Sequence, residues 1–145
     1  MDALVPKVGA YRTMAERRRL LWRKVVRPPR DAGELPADFE LEYHQVDSEI
    51  QTYLRDLLQA LPFGVEVAHA YAPRESATHG GSDHVVLLRD LDLGRLRREK
   101  GDALCKPAKK FWGLVVASDR LPDCLACIER VEKISLELSR RVLTT

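Results

Sequence analysis

The chain reads as an α+β protein: an N-terminal antiparallel helical hairpin followed by a small β-rich module closed by a C-terminal helix. Three observations predict this. Apolar residues recur at steps of three and four over residues 8–61 and again over 127–138. Between those stretches lie short β-branched runs separated by Gly- and Pro-containing loops. Charge also divides the chain, since residues 1–30 carry a net +7 and residues 31–60 a net −7, leaving +2 over all 145 residues.

The first helix is predicted over about residues 7–27. Val8, Tyr11, Met14, Ala15, Leu21, Trp22 and Val25 form one apolar stripe, interrupted at Arg18. Pro28 and Pro29 end it, because proline cannot continue the hydrogen-bond ladder. Leu35-Pro36 restarts the chain, and proline is tolerated in a first helical turn. Phe39, Tyr43, Val46, Ile50, Tyr53, Leu57 and Leu61 then mark a second helix over about 37–61, stopped by Pro62 and Gly64. Phe39 to Tyr43 also alternate, so a short strand competes there. The first helix is basic and the second acidic, and a short connection would lay them antiparallel with their charges paired.

Beyond residue 62 the pattern shortens. Strands are predicted at Phe63–Val67, His84–Leu88 and Lys110–Val116, with Ala103–Cys105 a further candidate. Residues 73–83 are loop by composition. Pro122 and Asp123 open a last helix whose buried stripe is Cys127, Ile128, Val131, Ile134 or Ser135, and Leu138. The expected division is therefore a hairpin over 1–62 and a second module over 63–145.

Composition removes several function classes. Basic and acidic residues nearly cancel, which excludes a histone-like polycation and an acidic disordered tail. Three cysteines do not make a secreted disulfide framework. Apolar runs fall far short of the roughly 20 residues that span a bilayer. The N-terminus lacks the apolar core of a secretion signal, so a cytoplasmic protein is expected, with no membrane contact.

The chemistry concentrates in Cys105, Cys124 and Cys127. Cys124-Leu-Ala-Cys127 falls in the predicted first turn of the last helix, where residues three apart share a face. The helix N-terminus favours thiolate over thiol there. Zinc takes a tetrahedral set of thiolates and neutral imidazoles, and Cys105 supplies a third sulfur beside Lys106-Pro107. His84 or His79 would complete the set. His84 is preferred, because a strand fixes its ring and a Gly-rich loop does not fix that of His79. Two other readings stand beside zinc: three buried thiols filling the core, and a redox dithiol at Cys124 and Cys127.

The order His84, Gly101, Leu104-Cys105, Phe111-Trp112 and Cys124-Leu-Ala-Cys127-Ile128 resembles a group of small, uncharacterised zinc-binding proteins of actinobacteria and their phages. The resemblance covers about residues 84–128, and Lys106 stands where that pattern has Gly. It implies a bound zinc and a regulatory or nucleic-acid-related setting.

Arg95, Arg97, Arg98, Lys100, Lys106, Lys109 and Lys110 surround Cys105, with Phe111 and Trp112 following. Cations neutralise phosphates and an aromatic face stacks on an unpaired base, so Arg95, Arg97, Arg98, Lys106, Lys109, Lys110 and Trp112 are candidate contacts to DNA or RNA. Arg12, Arg19, Arg23 and Arg27 share a helical face that offers a second phosphate track, although the acidic helix competes for them. Catalytic constellations are thin. Ser76, Ser82 and Ser118 lack nucleophile-elbow glycines, His79-Gly-Gly-Ser lacks the lysine of a phosphate loop, and Asp90 with Asp92 is a common surface pair. The sequence therefore points to a small zinc-stabilised nucleic-acid-binding or regulatory protein, with no case made for an enzyme. The alternative is an adaptor whose charged hairpin docks a protein partner, and an exposed stripe on that hairpin could pair two copies as a homodimer.

Overall fold

The structure is a computed structural model that describes residues 7–27, 36–70, 83–111, 113–117 and 119–144. Helix α1 spans Ala10–Val26 and helix α2 spans Pro36–Gln59. Strands β1 (Val65–Ala70), β2 (Asp83–Leu87), β3 (Leu91–Asp92), β4 (Arg97–Arg98) and β5 (Leu114–Val116) follow, and helix α3 (Leu125–Thr144) closes the chain. The fold is α+β, as the sequence predicts.

The hairpin forms for the expected reasons. Tyr11 and Leu21 of α1 and Phe39, Val46, Ile50 and Leu57 of α2 are buried along the stripes read from the sequence, and Leu54, outside that stripe, is buried with them. Each buried aliphatic side chain of this kind stabilises the fold by about 1.5–3 kcal/mol before entropy is counted. Arg18, the break in the α1 stripe, reaches across to Asp47 at 2.6 Å, and Arg17 meets Glu42 at 2.7 Å. The opposite charges of the two helices thus face one another. Phe39–Tyr43 is helical, so burial of Phe39 against the core overrides its alternation. Trp22 lies at the flank, half exposed, with its ring 5.2 Å from that of Tyr43.

A three-stranded antiparallel sheet of order β2-β1-β5 packs against the helices. Its register places Val67 opposite Val85 and Ala68 opposite both His84 and Val116. The first strand begins two residues later than its alternation suggests and runs on to Ala70, because as the central strand it buries Val67, Ala68 and Ala70. The Ala103–Cys105 candidate makes one bridge, Ala103 to Val86. The predicted Lys110–Val116 strand shortens to Leu114–Val116. A one-turn 3-10 helix over Ala108–Lys110 takes the preceding residues, where Pro107 fixes the entry and the Asp102 carboxylate accepts the Ala108 N–H at 2.8 Å. The β3–β4 hairpin, turning at Gly94 with φ 77°, is an element the sequence did not announce.

One continuous core joins the two halves. It runs from Tyr11 and Leu21 through Ile50, Leu54 and Leu57 to Val85, Leu87, Leu104, Cys127, Ile128 and Val131. A polar tie reinforces it. Helix α1 has no side-chain cap of its own, and its N-cap residue Gly9 sits at φ 91°, a left-handed conformation that glycine adopts without strain. The fully buried Glu132 of α3 supplies the cap instead. Its two carboxylate oxygens accept the Gly9 N–H at 3.2 Å, the Tyr11 N–H at 3.1 Å and the Tyr53 hydroxyl at 2.5 Å. One side chain therefore links all three helices.

Candidate metal centre

Three chain segments converge at the end of the sheet nearest the start of α3. Strand β2 carries His84, 7% exposed. Residues 101–105 run beside β2 as a partial further rung: Gly101 N–H donates to Leu87 at 2.9 Å, Leu87 N–H to Asp102 at 3.0 Å and Leu104 N–H to Val85 at 2.9 Å. This rung delivers Cys105. The Asp83 carbonyl accepts the N–H groups of Asp123 and Cys124 at 3.0 and 3.1 Å, while the Asp123 carboxylate accepts the Asp83 N–H at 2.7 Å. That reciprocal clip pins the start of α3 to the start of β2. Cys124 occupies the N-cap position, its carbonyl accepting the Ile128 N–H at 3.0 Å, and Cys127 lies fully buried in the first turn.

The four side chains meet. His84 Nδ1 stands 3.3 Å from Cys105 Sγ and 3.6 Å from Cys127 Sγ. One donor atom from each of His84, Cys105, Cys124 and Cys127 lies within 4.8 Å of all the others. Tetrahedral zinc, with Zn–S near 2.3 Å and Zn–N near 2.0 Å, holds its donors about 3.5–3.8 Å apart. The distances from His84 to the Cys105 and Cys127 sulfurs are close to that spacing and no pair of donors exceeds 4.8 Å, so these residues could hold a metal ion. Phe111 sets the imidazole from the side, edge-on at 4.8 Å and 64°, and Lys106 Nζ lies 4.4 Å above the Phe111 ring.

The electrostatics favour positive charge among the sulfurs. Hydrogen bonds from Cys105 and Cys127 hold the Cys124 thiol far below its usual range despite burial. Cys127 is pushed far up, because it donates to Cys105 and Cys124 and is itself buried. Burial opposes a charged His84, but hydrogen bonds with Cys105 and Cys124 outweigh it and hold its pKa up at about 9. A Cys124 thiolate that draws a proton onto the nearby His84 imidazole offers the same field to a dication, which would displace the protons from the ligands.

The other sequence candidates scatter. Arg95 and Arg97 are exposed on the β3–β4 hairpin, Arg97 reaching Asp92 at 3.5 Å. Lys106, Lys109 and Lys110 are exposed along the segment that follows Cys105. Arg98 is half-buried and bonded to backbone carbonyls. His79, Trp112, Ser76, Ser82, Ser118 and most of the 73–83 loop lie outside the described residues. Asp90 and Asp92 serve the backbone, accepting the N–H of Lys100 at 2.8 Å and of Gly94 at 3.0 Å. His44 is on the helix surface near Glu40, and His69 is a strand residue whose Nδ1 lies 2.9 Å from the Asp83 carboxylate. On the first helix, Arg12 pairs with Glu129 at 3.3 Å and Arg19 lies 3.9 Å from Glu16. No non-glycine residue among those described has positive φ, so the turn after Cys105 takes Lys106 without strain.

Sequence reasoning missed the supports of the site. Asp102 clamps the Cys105 loop, one carboxylate oxygen accepting the Glu99 N–H and the other the Ala108 N–H, both at 2.8 Å. Asp83 and Asp123 form the clip described above. Their signal in the sequence was weak, an aspartate beside each ligand-bearing element.

A family model described as a domain of unknown function (DUF8336) matches residues 76–135, the stretch that holds all four donors. No curated protein and no solved structure matches the chain. Among the described residues, no helix is long and apolar enough to cross a membrane.

Proposed function

We propose that this is a small protein built around one structural zinc ion, with a basic surface beside the metal that binds nucleic acid in a regulatory role. The observation that carries the reading is the convergence of His84, Cys105, Cys124 and Cys127 from a strand, a loop and a helix start onto one point. Three thiolates and an imidazole fill the tetrahedral shell of zinc and leave no open position for a substrate, which makes the site a cross-link and not a catalyst. When bound, zinc would supply a rigid junction between the strand, the loop and the helix start, in addition to their backbone hydrogen bonds. The resemblance to small zinc-binding proteins of actinobacteria and their phages supports the same reading. Elemental analysis of the purified protein is expected to give one zinc per chain.

The nucleic-acid part rests on where the cations stand. Lys106, Lys109 and Lys110 project from the segment that the Cys105 ligand anchors, and Arg95 and Arg97 are exposed on the adjoining hairpin. Phosphate contacts release counterions, so binding should fall steeply with salt. Changing Arg97, Lys109 and Lys110 together to Glu is expected to abolish retention of duplex or single-stranded nucleic acid. The melting temperature should stay within a few degrees, since all three side chains are exposed. Unchanged binding in the triple variant would move the footprint to the Arg12–Arg27 face. If the unmodified protein shows no binding even at low salt, the adaptor reading takes over. That reading has its own support in half-exposed Trp22 and exposed Val26 on α1, an apolar edge among arginines that suits a protein partner or a second copy.

A further inference from the structure

We propose that Arg98 is a positioning residue of the metal centre: from β4 its guanidinium holds the carbonyls of Ala103 and Cys105 and so fixes where the Cys105 sulfur stands. The inference rests on the metal reading above and assigns a role to a residue that the sequence grouped with the phosphate contacts. Nε donates to Ala103 O at 3.3 Å, Nη2 to Cys105 O at 3.4 Å and Nη1 to Arg97 O at 2.8 Å. All three nitrogens of the fork are thus engaged within the protein. Its neighbour Arg97 differs, with a side chain 78% exposed and paired with Asp92.

The four ligands are not equally supported, and this gives Arg98 its importance. His84 is held in a strand, and Cys124 and Cys127 are held by the first turn of α3. Cys105 sits in a bend, just past the last backbone rung from Leu104 N–H to Val85. From that rung onward the guanidinium takes over, and Asp102 closes the far side of the loop at Ala108. Gly101, with φ 89°, makes the turn that sends the chain back along β2 toward Cys105. Charge works in the same direction. Three thiolates outweigh a dication by one charge, and a fixed guanidinium beside the Cys105 carbonyl offsets the excess. The planar fork matters as much as the charge, because a lysine ammonium cannot hold both carbonyls in one fixed plane.

The test uses the full-length protein loaded with zinc or cobalt. Affinity is read by competition with a chromophoric chelator, and ligand geometry by the thiolate-to-cobalt absorption. Arg98→Ala is expected to weaken zinc binding by about 10–100-fold, the range typical of groups that orient metal ligands, and to reduce the absorption from the Cys105 thiolate. Arg98→Lys should fall in between. Arg97→Ala removes the same charge one residue away and should leave both readouts within twofold of the unmodified protein. If Arg98→Ala fails to fold, Arg98→Lys decides the matter, and an unchanged affinity and spectrum in that variant overturns the proposal. Equal loading and equal spectra for Arg98→Ala and the unmodified chain also overturn it, while leaving the metal reading standing. Failure of the unmodified chain to take up either metal overturns both.

Discussion

Removal of the metal from the zinc-loaded protein by a chelator, or replacement of Cys127 by Ser, is expected to lower the melting temperature by roughly 10–20 °C. A ligand held at a thousand times its dissociation constant adds about 4 kcal/mol to the folded state, and structural zinc binds more tightly than that. The position of the site argues for a large effect. Cys127, Leu104 and Val131 are fully buried, and Ile128 is 1% exposed, so the metal would sit at the seam where α3 meets the sheet. Loss of the junction loosens the first turn of α3, which is then held by the Asp83–Asp123 clip and the burial of Cys127 and Ile128 in the core. Cys127→Ser adds a second cost, since a hydroxyl is a far poorer zinc ligand than a thiolate and its shorter bond leaves a gap at a fully buried position. Hydrogen exchange should show the effect first in the amides of Val85, Leu104 and Ile128. It should then spread to the hairpin, because Tyr11, Ile50 and Leu57 belong to the same core cluster. A protein freed of zinc whose melting temperature does not move would return the three cysteines to the role of core-filling thiols.

How much of this was legible in the sequence depended on whether the signal was local. The first two helices could be read, because apolar residues recur at steps of three and four along their length and prolines mark the break between and after them. The cysteine cluster could be read as well, since two sulfurs three residues apart at a helix start already point to one place. The structure brings His84 into the cysteine cluster, while His79, the other candidate, lies outside the described residues. The β3–β4 hairpin could not be read: two-residue strands carry no period, and Arg97-Arg98 looks like surface charge in any one-dimensional reading. The same limit hid the division of labour between Arg97 and Arg98, which differ only in the carbonyls that happen to lie beside them. Arg18 was legible as a break in a stripe, yet its partner Asp47 appeared only once the antiparallel register was set. Glu132 was the largest omission. It stands four residues after Ile128 and one after Val131, inside the buried stripe of α3, and a carboxylate there is either an error of phase or a partner for something distant.

The distant partner makes Glu132 the second large effect. Glu132→Ala is expected to destabilise the protein by about 3–5 kcal/mol, measured by denaturant unfolding, because it strips the acceptor from three donors at once. The Gly9 and Tyr11 N–H groups open α1 and have no other side-chain cap, and the Tyr53 hydroxyl points at the same carboxylate. Glu132→Gln should cost less, about 1–3 kcal/mol, since an amide oxygen still accepts while the amide NH2 faces donors it cannot satisfy. Tyr53 offers an independent check through pH. Its pKa is raised above the ordinary 10.0, first by burial and then by the hydrogen bond to Glu132 and the charge beside it. A raised folded-state value means that the neutral phenol is the form the fold prefers. The stability this provides is complete below pH 10 and is lost as pH climbs from there toward the folded-state value. The unmodified protein should therefore lose stability in the alkaline range above pH 10, and Tyr53→Phe should reduce that loss, leaving the part due to Tyr11, whose pKa burial also raises, while removing one hydrogen bond at neutral pH. Because the two side chains share one bond, their effects should not add. A double-mutant cycle between Glu132→Gln and Tyr53→Phe should show coupling of about 1 kcal/mol or more. Strict additivity would mean that the Tyr53 hydroxyl gains nothing from the carboxylate, and a Glu132→Ala variant as stable as the parent would mean that α1 is held by its apolar stripe alone and that the buried carboxylate contributes nothing to joining the hairpin to α3.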